Sequence, residues 1–115
     1  MVINSSTDDV AMTRGDSESL TVRKVGGTWA AGEAITLTIR TSAVGEIVFQ
    51  KTVTSFDDSG AAVIAINPED TEGLDFGRYA YDVQYENNGT VKTLIPRTPG
   101  NLPGWTLTQE ATYDA

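Results

Sequence analysis

Apolar side chains recur at every second position through most of this chain, and that period predicts β-strands. Ile35, Leu37 and Ile39 alternate with threonine and arginine. Within residues 77–86, three tyrosines and Val83 share one face, while mainly charged and amide side chains share the other. Because a slip of one residue would expose four large side chains, this segment is the clearest strand prediction in the sequence.

Further segments rich in Val, Ile, Thr or aromatic residues are predicted to be strands. They are residues 9–14, 19–23, 46–55, 62–67, 90–95 and 105–112. Turn-forming residues separate them at 26–27, 31–32, 44–45, 57–60 and 75–77. Asn88-Gly89 predicts a type I′ hairpin, since both central residues of that turn need positive φ. An Asn-Pro pair followed by acidic residues predicts one short helical turn near 68–73.

Short strands with turns between them and no crossover helices predict an all-β fold, an immunoglobulin-like antiparallel β-sandwich of about 7–8 strands. We expect a single domain over residues 1–115, with a flexible N-terminal segment at 1–8 and a Pro/Gly-rich connection at 96–104. Trp29 is the predicted central aromatic of the core, and Trp105 is expected to open the last strand. The glycine corner before the tyrosine-rich strand resembles the E–F corner of immunoglobulin-like domains.

The amino-acid composition excludes several classes of function but does not identify one. The 115 residues include neither His nor Cys, so the usual general base, thiolate nucleophile and thiolate metal site are missing. We therefore expect no enzyme activity, no cofactor and no metal. The formal net charge of −8 argues against binding nucleic acid or anionic lipid. No secretory signal and no apolar run of membrane-spanning length occurs, so we expect no membrane insertion.

Two short motifs have a chemical interpretation that competes with a structural one. Arg14-Gly15-Asp16 is the tripeptide that integrins recognise, but between two predicted strands it is better explained as a tight turn. Asp8-Asp9 and Asp57-Asp58 offer oxygen ligands for Ca²⁺. Neither pair has the alternating acidic spacing of a calcium loop, so solvated turns are the favoured interpretation.

The aromatic residues leave a carbohydrate site open as an alternative, because exposed rings stack on sugars. Alternation places Tyr79, Tyr81 and Tyr85 toward the core, so most of the aromatic side chains are assigned to packing. The candidate contact surface is then Trp105 with Arg97 and Leu102 of the Pro/Gly-rich connection.

Several segments occur in an order typical of one family of proteins. An Arg-Gly-Asp-Ser turn at 14–17 leads into a strand, and a second strand ends in Arg40. A Pro-Glu-Asp-Thr step, a Gly-x-Tyr-x-Tyr-Asp-Val-Gln strand and a Gly-Thr-Val-x-Thr-Leu strand follow at 68–71, 77–84 and 89–94. Over residues 9–112 this order resembles the small immunoglobulin-like domains of tailed-bacteriophage and prophage structural proteins, including the N-terminal domain of baseplate upper proteins.

The resemblance implies a non-enzymatic structural component of a virion, associated with the tail, baseplate or fibre. Its partners would be other tail or baseplate subunits, with homo-oligomeric or ring assembly, and its location would be the virion assembled in the bacterial cytoplasm. The connection at 96–104 departs from the family pattern, so we expect a remodelled sheet edge there. The alternative function is a carbohydrate- or host-surface-binding β-sandwich module.

Overall fold

The computed structural model describes residues 1–24, 28–56, 60–96 and 100–109. The predicted turns at 26–27 and 57–59, Arg97 and the end of the last predicted strand lie outside these ranges. In the described ranges the elements are β1 (Val2–Ile3), β2 (Val10–Thr13), β3 (Glu18–Arg23), β4 (Glu33–Arg40), β5 (Ile47–Val53), β6 (Ala61–Ile66), α1 (Pro68–Thr71), β7 (Gly77–Asn87), β8 (Thr90–Ile95) and β9 (Gly104–Thr108).

The described strands form an all-β sandwich, which confirms the predicted fold class. The larger sheet has the order β1-β2-β9-β7-β4-β5, with β8 also paired to β7. The smaller sheet consists of β3 and β6. Neighbouring strands are antiparallel except β2 and β9, which run parallel with Val10 opposite Trp105. The N-terminal segment contributes β1, which pairs with β2 at the edge of the larger sheet.

The long strand β7 organises the larger sheet. One of its edges pairs with β4 over eight residues. The other edge pairs with β9 near its start and with β8 near its end. The chain therefore leaves the sheet after β8 and re-enters it at β9. This interruption coincides with the Pro/Gly-rich connection, although Gly104 already belongs to β9.

The core lies between the two sheets, and its central aromatic differs from the sequence prediction. Trp105 is completely buried, and its ring meets Tyr81 edge-on at 5.2 Å between centroids. Trp29 is half-buried, stacked on Phe56 at 5.1 Å, and its indole N–H donates to the Gly60 carbonyl. The prediction that Trp29 is the central aromatic was therefore wrong, whereas Trp105 lies at the start of the last described strand as predicted. Pairing with both β2 and β7 places β9 inside the sheet, whereas Trp29 precedes β4 in a loop.

Local turn chemistry agrees with the sequence. Asn88 and Gly89 have φ of 50° and 87° and form the two-residue turn between β7 and β8, as the hairpin prediction requires. The predicted helical turn is α1, where the Asn67 N–H donates to the Asp70 carboxylate at 2.7 Å. The Tyr79 hydroxyl donates to the Asp75 carbonyl, a contact of the kind that fixes the E–F corner in immunoglobulin-like sandwiches.

Replacing Gly89 with alanine should destabilise the fold by about 1–2 kcal/mol, because a Cβ is strained in the left-handed region. No atom lies within 4 Å of the added Cβ, so the effect is purely conformational. Gly73→Ala is the matched control, since its Cβ also meets nothing within 4 Å and its φ is not in that region. Urea unfolding of both variants checks the prediction. Equal stability of the two variants would contradict it.

Candidate functional site

The three residues of the predicted contact surface do not form one surface. Trp105 is 0% exposed, so that part of the prediction was wrong: the ring packs inward from β9. Leu102 is half-buried and lines a groove on the outside of the larger sheet. Arg97 lies outside the described residues. Of the two described residues, Leu102 is the one that a partner can reach.

Arg14 and Gly15 of the Arg-Gly-Asp turn are half-buried and make contacts within the protein, while Asp16 is exposed. The Arg14 guanidinium donates to the Leu74 carbonyl at 3.1 Å and lies 4.0 Å from the centre of the Phe76 ring. The Gly15 N–H donates to Thr71 Oγ1 at 2.8 Å, and Gly15 has φ of 83°. This geometry supports the interpretation of the tripeptide as a structural turn that joins the β2–β3 connection to α1 and the start of β7.

Acidic side chains are used singly, as caps and ion-pair partners. Asp70 caps α1 and also accepts Lys51 Nζ at 2.8 Å. Asp9 accepts the Gly104 N–H at 2.7 Å, and this hydrogen bond is the main reason that the pKa of Asp9 is lowered. In the described ranges no group of three acidic side chains could hold a metal ion. The Asp57-Asp58 pair lies outside those ranges.

The most concentrated polar network surrounds Glu33 at the start of β4, a residue that is only 4% exposed. Its carboxylate accepts the Tyr85 hydroxyl at 2.5 Å, the Ala30 N–H at 2.6 Å and Lys24 Nζ at 3.1 Å from both oxygens. The hydrogen bond from Tyr85 is the largest of the causes that lower the pKa of Glu33 to about 2.

The same hydrogen bond raises the pKa of Tyr85, because ionising the phenol would remove the donated proton from Glu33. These hydrogen bonds join the loop before β4 to the end of β7. The Glu33 network therefore stabilises one end of the sandwich. We assign it a structural role.

An open groove of about 260 Å³ lies at the opposite end of the larger sheet. The turn between β4 and β5 supplies one wall, β7 supplies the floor and Leu102 closes the side. The lining residues are Thr41, Ser42, Ala43, Arg78, Tyr79, Ala80 and Leu102. The turn is held by Thr41 and Gly45 N–H groups, which donate to the Glu46 and Ser42 carbonyls at 3.0 Å.

The smaller sheet exposes strand edges. Among the described strands, β3 and β6 pair only with each other, so neither has a strand neighbour on its outer edge. Strand β6 reads Ala-Ala-Val-Ile-Ala-Ile, with Val63 48% exposed. It contains none of the lysines, prolines or bulges that keep edge strands from pairing with other chains. The outer edge of β6 is thus suited to strand addition.

Sequence reasoning missed Glu33, Arg78 and Gly104. The sequence did contain a signal for Glu33. The residue continues the every-second-position pattern of Ile35, Leu37 and Ile39 toward the N-terminus, so it is expected to face inward. A carboxylate at a core-facing position requires donors. Nothing local indicates that Arg78 and Gly104 meet, since strand register brings them together.

Comparison of the sequence with protein families and curated proteins does not assign a function to these sites. No helix in the described part of the chain is long and apolar enough to cross a membrane. No protein-family model matches the sequence, and no curated protein is significantly similar to it.

Proposed function

We propose that this chain is a non-enzymatic structural component of a phage or prophage virion that acts through protein–protein contacts in the tail, baseplate or fibre. The observation that carries the proposal is the outer edge of β6, an uncharged apolar strand that has no strand partner on that edge among the described strands and can accept one from a neighbouring subunit. Virion tails are assembled from repeated subunits, and such contacts suit symmetric assembly.

The segments that carry the family resemblance pack against one another. The Arg-Gly-Asp-Ser turn, the Pro-Glu-Asp-Thr step and the corner before β7 are separate in sequence. They meet through the contacts of Gly15 with Thr71 and of Arg14 with Leu74 and Phe76. The residues that carry the resemblance therefore include those that join the β2–β3 connection to α1 and to the segment before β7. Burial of Trp105 removes the ring on which the carbohydrate-binding alternative depended.

The test is co-purification of the tagged protein with tails or baseplates from the bacterial strain that encodes it, with partners identified by mass spectrometry. We expect tail or baseplate proteins to be recovered, and Val63→Lys to reduce their recovery because a charge on β6 opposes strand addition. Val91→Lys on β8 is the matched control, because Val91 is 55% exposed and lies on another edge strand.

Thermal unfolding of both variants establishes that they fold. Recovery of no tail or baseplate protein would overturn the proposed function. Equal loss of recovery in the two variants, or no loss in either, would overturn the assignment of the contact to β6.

A further inference from the structure

Arg78 occupies an unusual position beside the groove. It lies on the outer face of β7, opposite Thr106 and two residues before Ala80, which pairs with Gly104. Its side chain is 63% exposed, yet its guanidinium lies directly against the backbone of Gly104. A Cβ added at Gly104 would come within 2.4 Å of Arg78 Cζ and 2.5 Å of Nη1. The guanidinium can lie in this position because Gly104 has no side chain.

Asp9 fixes the same arrangement from the other side. Its Oδ1 accepts the Gly104 N–H at 2.7 Å and Arg78 Nη2 at 3.4 Å. The hydrogen bond from Gly104 is short and the one from Arg78 is long. Asp9 therefore binds the β9 backbone more tightly than it binds the guanidinium. A guanidinium has five N–H donors, and the contact with Asp9 uses one of them. The other donors make no hydrogen bond within the described part of the chain, and the Arg78 side chain lines the groove.

The other polar side chains of the groove are also able to donate. Thr41 and Ser42 contribute hydroxyl groups from the β4–β5 turn, while Ala80 and Leu102 contribute an apolar surface. The Thr41 side chain packs closely on Gly45, because a Cβ added at Gly45 would lie 2.0 Å from Thr41 Oγ1. An exposed guanidinium and two hydroxyls next to an apolar patch match a carboxylate carried on a small, partly apolar residue.

We propose that this groove binds a carboxylate-bearing residue of a partner polypeptide, with Arg78 as the ligand of the carboxylate and Gly104 as its positioning residue. The inference rests on the proposed function and deepens it, since it names the group that a neighbouring subunit presents. The volume of about 260 Å³ limits the occupant to about one residue. Either a chain terminus or an acidic side chain supplies this chemistry.

NMR titration of the full chain tests the proposal with three probes: N-acetyl-leucine, its uncharged amide, and N-acetyl-aspartic acid α-amide. The first presents a terminal carboxylate and the third a side-chain carboxylate, so their ranking identifies the source. We expect Kd on the order of 1–10 mM for the preferred carboxylate. Shifts should be concentrated at residues 41–43, 78–80 and 102, and the uncharged amide should bind at least about tenfold more weakly.

Two variants test whether binding depends on the position of the Arg78 guanidinium or only on the positive charge of the protein surface. Arg78→Ala and Gly104→Ala should each weaken binding at least about tenfold, the second by displacing the guanidinium without removing a polar group. Arg23→Ala, which removes an exposed cation from β3, is the matched control and should leave Kd unchanged. Backbone NMR spectra establish that each variant is folded.

Equal binding of the acid and the amide, or carboxylate binding that survives Arg78→Ala, would overturn the inference. Preferential binding of a neutral monosaccharide in the groove would also overturn it. Carboxylate binding that Gly104→Ala leaves unchanged would remove Gly104 as the positioning residue. If no carboxylate binds while tail proteins still co-purify, the groove assignment fails and the proposed function stands. If a carboxylate binds and no virion protein is recovered, the proposed function fails instead.

Discussion

Trp105→Ala should lower the free energy of unfolding by about 3–5 kcal/mol, the usual cost of removing a large buried aromatic side chain. The ring is completely buried, and it packs edge-on against Tyr81, which is itself fully buried. Alanine would leave a cavity between the sheets that rigid strands cannot close. Urea unfolding followed by far-ultraviolet circular dichroism measures the loss without relying on tryptophan fluorescence.

Two further variants identify the cause. Trp105→Phe should cost much less than Trp105→Ala, because it keeps a ring in the core and removes an indole N–H that has no hydrogen-bond partner in the described part of the chain. Trp29→Ala should also cost less, because Trp29 is half-buried and lies at the rim of the core. A larger loss for Trp29→Ala than for Trp105→Ala would contradict this account of the core.

Glu33→Gln should destabilise the protein at neutral pH, and the difference from the wild type should disappear as the pH falls. The hydrogen bonds from Tyr85, Ala30 and Lys24 lower the pKa of Glu33 from 4.5 to about 2. Above pH 4.5 the carboxylate is charged in both folded and unfolded chains, so its contribution to stability is fully present. Between about pH 4.5 and 2 the unfolded chain takes up the proton first, and the contribution is lost.

Urea unfolding at a series of pH values measures this difference, with Glu86→Gln on the exposed side of β7 as the control. A second readout is the ultraviolet titration of tyrosine, because the pKa of Tyr85 should fall when the negative charge of Glu33 is removed. A difference between wild type and Glu33→Gln that stays constant down to pH 2 would contradict the assignment, as would an unchanged tyrosine titration.

The strands with dense alternating patterns were predictable from sequence. Residues 77–86 lie within β7, and residues 90–95 coincide with β8, because large side chains at every second position leave one register available. The Asn88-Gly89 turn was predictable because few residues tolerate two successive positive φ angles. The two-residue strand β1 carries too short a pattern to be recognised.

Long-range pairing was not predictable. The parallel alignment of β2 with β9 joins residues that are far apart in the chain, and no local pattern encodes which strands become neighbours. This pairing decided the roles of the tryptophans. Each follows a glycine-containing segment, and only the place of β9 between β2 and β7 buries Trp105 rather than Trp29.

The candidate site depends on pairing even more strongly. Arg78 alone is indistinguishable from any other exposed cation, and Gly104 alone predicts a turn rather than a strand position. Antiparallel register between β7 and β9 brings the guanidinium over the glycine, and Asp9 reaches both from just before β2. Glu33 was partly predictable from sequence. Alternation indicates that its side chain faces inward, but it cannot indicate which groups donate hydrogen bonds to it.

The sequence by itself therefore determined the fold class, most strand positions and the turns, because each depends on side-chain alternation or backbone freedom within a few residues. Tertiary structure decided which aromatic is central, which strands lack a neighbour on one edge and where a guanidinium lies beside a groove. These features depend on sheet order and register, which arise from packing the whole chain around one core and are not written in any single segment.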